Sequence, residues 1–221
     1  ITAGMHGRLD VAESYIECAQ SLSLHFSHID KEPTINVSQM TVSYWMALSN
    51  WTKAEEAFKL GIKMSQESGH ARRMEENTIG YATCLYLQGK IKESFVVNQM
   101  AVDSASARGD VQLQVLAYLS QARNQVALGQ IEKVVTSMGL IDQFVGKGGY
   151  KLDMLSELSY HTIMGFVYVS KRDYELAYRT VEMVAKMVDD LEPTAYETFF
   201  GYMAIPEVLL IVLAESNRPS S

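Results

Sequence analysis

ALGQIEKVV (residues 127–135) places glycine two positions before isoleucine and a short apolar residue three positions after it. Forty residues earlier, YLQGKIKES (residues 86–94) makes the same phrase. Extended along the chain, the apolar anchor falls at Leu9, Trp51, Ile91, Ile131 and Tyr174, at intervals of 42, 40, 40 and 43. The residue two positions before each anchor is Gly7, Ser49, Gly89, Gly129 or Arg172, and three positions after it come Ala12, Ala54, Ser94, Val134 and Ala177. A second series of breaks alternates with the first at Gly69, Gly109 and Gly149. Looser breaks at Lys31-Glu32-Pro33 and Asp190-Leu191-Glu192-Pro193 extend it.

Between the breaks the pattern is helical. From Ile91 onward, Ile91, Phe95 and Val102, with the small Ser94, Ala101 and Ala105, recur at the spacing of one helix face. Glycine ends helices because it takes the left-handed cap conformation at little cost, and proline after a break opens the next helix. Each unit of about forty residues is therefore read as a helix hairpin. A lone hairpin cannot bury its apolar face, so stacked copies must share a core.

The spacing predicts a helix over 9–30, hairpins over 36–68, 71–107, 111–146 and 151–189, and a last helix over 194–215 that Pro206 should kink or split. Residues 1–221 are expected to form one all-α repeat domain. The opening Ile1-Thr2-Ala3-Gly4, without methionine, reads as part of a longer protein.

Composition narrows the function. The chain is 48% hydrophobic, carries a formal charge of −7 and has a pI near 5.3. That suits neither a phosphate backbone nor an anionic membrane surface. The longest apolar run, near Val208–Ala214, is far too short to span a bilayer. Two cysteines, Cys18 and Cys84, make no disulfide framework and fit a reducing compartment, so the expected location is the cytoplasm.

The chemical motifs are weak. His25 and His28 could face one metal, but further ligands are not spaced to join them. GKGGY (146–150) lacks the other residues of a phosphate loop and reads as a helix stop. RGD (108–110) fits its place in the repeat, with Gly109 ending one helix and Asp110 opening the next. His161 reads as a core or groove histidine. The pairs Glu55-Glu56 and Glu75-Glu76 fall where a solvated helix face is expected. No enzyme, metal or cofactor is expected.

The phrase small-x-apolar-x-x-small, clearest in QGKIKES, LGQIEKV, GRLDVA and RDYELA, resembles the tetratricopeptide repeat in a longer version. A small residue nine positions before the anchor, present as Ala82, Ala122 and Gly165 but not at Val42, belongs to the same pattern. Gln121 and Gln125 depart from it, standing where apolar residues are usual. The resemblance implies a right-handed superhelix with first helices on the concave side. Projected onto this chain, it puts Met46, Ile79, Thr83, Tyr86, Leu119, Arg123 and Phe166 in a groove for a protein or peptide partner. The terminal helices would expose apolar surface and favour self-association.

Two segments, RGDVQLQVLAYLSQARNQVALGQ (108–130) and EPTAYETFFGYMAIPEVLLIVLAE (192–215), resemble the C-terminal repeats of multidomain signalling proteins that carry a class III nucleotide cyclase and an ATPase module. This likeness implies a regulatory or scaffolding piece. The sensor arrays of ATPase-type transcription regulators, which receive a small ligand or an inhibitor, are the alternative.

Overall fold

The computed structural model describes residues 9–26, 32–189 and 199–216, and every regular element among them is an α-helix. In chain order these are α1 (Leu9–Phe26), α2 (Glu32–Ala47), α3 (Trp51–Glu67), α4 (Ala71–Leu87) and α5 (Ile91–Arg108). They continue as α6 (Val111–Ala127), α7 (Ile131–Gly146), α8 (Met154–Ser170), α9 (Tyr174–Asp189) and α10 (Phe199–Ser216). The chain packs as two compact units, Ile1–Ser120 and Gln121–Ser221.

The expected hairpins are present with small shifts. α2 starts at Glu32, earlier than the break at Lys31-Glu32-Pro33 suggested, because proline in a first turn gives up no intrahelical hydrogen bond. α10 is not split: it runs unbroken through Pro206, which lies exposed inside it. The breaks at Gly7 and at Asp190–Pro193, and His28, lie outside the described residues.

The turns explain why the phrase returns. At Gly89 the chain takes φ 76°, and at Gly129 φ 68°. Gly89 N–H donates to the Tyr86 carbonyl (2.9 Å) and Lys90 N–H to that of Leu85 (3.0 Å). Gly129 and Gln130 repeat the pair onto Val126 and Gln125, both at 2.9 Å. This double closure satisfies carbonyls that a helix end leaves open, and it needs the left-handed conformation. The same pair of bonds closes the turns at Ser49, Gly69, Gly109 and Arg172. Ser49 (φ 54°) and Arg172 (φ 59°) adopt it with side chains attached. A left-handed residue with a Cβ costs about 1–2 kcal/mol. Ser49→Gly and Arg172→Gly are each expected to raise unfolding free energy by about 1 kcal/mol in urea titrations. Helices α3, α6, α8 and α9 start on side-chain caps: Asn50, Asp110, Asp153 and Asp173 accept from the N–H groups of Lys53, Leu113, Ser156 and Leu176.

In the first unit each helix packs on the next from α1 to α5, and α2 also touches α4. Ile35, Val42, Ala54, Ala82 and Leu85 are buried, and Ala101, Val102 and Ala117 form a cluster under Ile79 and Tyr118. Two glycines allow close approach. A Cβ on Gly80 would strike the ring of Phe58, and one on Gly61 would lie 2.6 Å from Asn77 Oδ1.

In the second unit α7 packs on α8, α8 on α9 and α9 on α10, and α10 returns to α8. Leu158, Val184 and Val188 form its apolar cluster, with Met187, Tyr202 and Ile205 against it. Gln121 and Gln125 are buried, as the repeat register requires. Polarity at position 125 has a partner, because Ser137 Oγ on α7 donates to Gln125 Oε1 at 3.1 Å.

Candidate functional site

The seven residues projected into a groove divide by burial. In the first unit Met46, Thr83 and Leu119 are buried, while Ile79 and Tyr86 are half-buried. Thr83 spends its hydroxyl on its own helix, donating to the Ile79 carbonyl at 3.1 Å. Ile79 rests on the Ala101–Val102–Ala117 cluster. In the second unit Phe166 is buried and stacks on Phe200, with ring centroids 6.0 Å apart and planes at 26°. The half-buried Arg123 holds its guanidinium 5.8 Å from the centre of the same Phe200 ring. Ile79 and Tyr86 are thus the partly open apolar residues of the set, and both project from α4.

Glu55, Glu75 and Glu76 overturn the solvated-face expectation, while Glu56 is exposed as expected. Glu75 on α4 is fully buried. The Arg108 guanidinium, at the end of α5, grips it with two hydrogen bonds, Nε to Oε1 at 3.0 Å and Nη2 to Oε2 at 2.9 Å. Ser104 Oγ adds a third at 2.6 Å. This fork geometry is the strongest form of a carboxylate pair. Arg108 Nη2 also reaches Asp110 Oδ2 at 2.9 Å, and Arg72 Nη1 reaches the same oxygen at 2.9 Å. Asp110 caps α6 as well. Burial would raise its pKa, but the Leu113 N–H and the guanidinium groups of Arg72 and Arg108 outweigh it and hold the carboxyl below its ordinary value. Glu76 is half-buried and pairs with Arg72 and Arg73. All the charges of the Arg-Gly-Asp tripeptide are therefore spent inside the molecule.

Glu55 behaves in the same way on α3. Burial again opposes ionisation, yet hydrogen bonds from Lys90, Gln88 and Lys59 hold its carboxyl down to about 2. The Gln88 and Lys90 contacts tie α3 to the turn between α4 and α5. Helical spacing cannot expose such pairs, because Glu75 and Arg108 stand 33 positions apart, as do Glu55 and Gln88.

The remaining reactive side chains are also placed in structural settings. His161 is half-buried and meets Tyr160 edge-on at 5.3 Å; burial lowers its pKa against the opposing pull of Glu157. Tyr160 donates to Asp142 at 2.7 Å. Burial pushes the Cys84 thiol up to about 11, while Cys18 is exposed. A thiol raised that far carries little thiolate at neutral pH. Native protein treated with iodoacetamide at pH 7.5 should therefore alkylate at Cys18, and Cys84 should react only after denaturation. Among the described residues, no three His, Cys, Asp or Glu side chains group so as to hold a metal ion. No helix among them is long and apolar enough to cross a membrane.

No protein-family model matches this chain, and no curated protein does. Among solved structures, it is similar to the crystal structure of BtubC (BKLC) from P. vanneervenii, with a TM-score of 0.62 at 13% identity. That likeness covers 98% of this chain and 94% of the other, and it is a likeness of fold.

Proposed function

We propose that this chain is a non-catalytic scaffold that binds a protein or peptide partner, within a larger cytoplasmic signalling protein. One observation carries this reading most directly. Charged groups that could serve chemistry, Glu55, Glu75, Arg108 and Asp110, are consumed in ties between neighbouring helices. Such ties make the stack rigid, and Ile79 and Tyr86 are left partly open on α4. Rigid helices that present a few apolar anchors suit an amphipathic or extended peptide, since little order is lost on binding. The repeated turn geometry supports the finer architecture, a right-handed superhelix of tetratricopeptide type. The resemblance of residues 108–130 and 192–215 to repeats that follow cyclase and ATPase modules supports the regulatory setting.

The test is selection from a displayed peptide library by the full chain. Apolar peptides should be enriched, and Tyr86→Ala should weaken them at least tenfold, the loss of one aromatic anchor. Circular dichroism should show the variant's helicity unchanged. Absence of enrichment, or equal binding by Tyr86→Ala, would remove the scaffold reading.

A further inference from the structure

A half-open cavity of about 320 Å³ lies among α1, α2 and α3 of the first unit. Its floor is four buried hydroxyls, Ser23, Thr34, Ser38 and Thr41. Val37 and Ala57 add apolar wall, and the exposed Gln20 and Leu60 stand at the mouth.

The repeat itself shows why the space is there. Forty residues on, the positions of Thr34, Thr41 and Ala57 are taken by Met74, Tyr81 and Val97. Counted from the turns at Gly7 and Ser49, the position of Gln20 is taken by Ile62. Four larger or more apolar side chains are thus replaced by small or polar ones, and all four replacements line one cavity. Interiors pack with few voids larger than a water molecule, so a space this size, at the lower end of ligand-pocket volumes, is a local property of the first hairpin.

The hydrogen bonds define what could fill it. A carbonyl can only accept, so each hydroxyl proton is already assigned. Ser23 donates to the Gln20 carbonyl (3.0 Å), Thr34 to that of Ser23 (3.3 Å), Ser38 to that of Ile35 (2.7 Å) and Thr41 to that of Val37 (2.8 Å). Gln20 Nε2 is turned inward onto Thr41 Oγ1 at 3.4 Å. What remains on the floor is oxygen lone pairs. Behind it, across Gly61 from the Ser38 hydroxyl, the buried Asn77 Oδ1 also finds no donor. Among the described residues, no charged side chain lines the cavity. A cation or anion would be desolvated there without a partner.

We propose that this cavity is a binding site for a small uncharged molecule with an apolar body and an N–H or O–H donor. The donor reaches the hydroxyl oxygens of the floor, and the body lies against Val37, Ala57 and Leu60. The site is separate from the α4 residues of the scaffold reading, so either can fail alone.

Indole and 1-methylindole, which differ in the N–H donor, are suitable probes against the full chain. With methyl-labelled protein, indole should shift the Val37 and Leu60 signals saturably. 1-Methylindole should bind at least tenfold more weakly. The double variant Thr34→Met, Thr41→Tyr borrows the residues of the next hairpin and should abolish the shifts without lowering the melting temperature. Ala57→Val, a smaller filling, should weaken indole at least threefold and serves if the double variant does not fold. Saturable binding by both probes alike would overturn the donor assignment. Failure of indole to shift either methyl group, or undiminished binding by the filled variants, would overturn the site.

Discussion

Arg108→Met is expected to cost about 3 kcal/mol of stability, far more than removal of a surface arginine. The loss falls on Glu75. Its carboxylate is fully buried and accepts two of its three hydrogen bonds from Arg108. Without the guanidinium, one bond from Ser104 must hold a charge with no solvent contact, and an uncompensated buried charge is among the costliest defects a protein can carry. The pair itself contributes less than its disruption costs, because both ions were desolvated to make it. Arg108→Met combined with Glu75→Leu should therefore recover most of the loss. Chemical denaturation of the two single variants and the double variant gives the coupling directly. If Arg108→Met unfolds within about 0.5 kcal/mol of the parent, the range of ordinary surface substitutions, Glu75 is not held as described.

Phe166→Ala should cost about 3–5 kcal/mol, the range for emptying a buried aromatic position. Phe166 is buried, stacked on Phe200, and that ring also carries the Arg123 guanidinium. Its removal opens a cavity between α8 and α10 and loosens the contact on which α10 depends. Tyr86→Ala, at a half-buried site on α4, should cost about 1 kcal/mol. Thermal melts of the two variants side by side would separate them. Equal melting would mean that Phe166 is no more interior than Tyr86.

These two sites mark where sequence reading succeeds and where it stops. The turns are legible because a left-handed residue is a local demand, written as glycine at 69, 89, 109 and 129. Even Ser49 and Arg172, wrong in chemistry, are found by phase. The small contacts are legible for a similar reason. Ala82 and Ala122 are fully buried, and Ser94 Oγ reaches the Ala82 carbonyl at 2.6 Å. Helical period says which face of a helix is apolar, but not which neighbour that face meets. Met46, Thr83, Leu119 and Phe166 share the projected face with Ile79 and Tyr86, yet lie in the interior. Glu75 is illegible for another reason. Its burial depends on an arginine 33 positions away, and neither residue type announces it.

Most of the ties between helices described above reach no further than one repeat, as in the Arg72–Gln112 contact across 40 positions, with the Arg123–Phe200 contact a longer exception. A chain whose partners lie mostly so near in sequence closes mainly short loops as it folds. Low contact order of this kind goes with rapid folding. It also means that order can spread hairpin by hairpin, so cooperativity is set by the strength of each seam rather than by the whole chain. The seam between α4 and α5, held by Arg108 on Glu75, is then expected to open last. Amide exchange should be slowest on its two sides and should quicken toward α1, where the packing opens into a cavity.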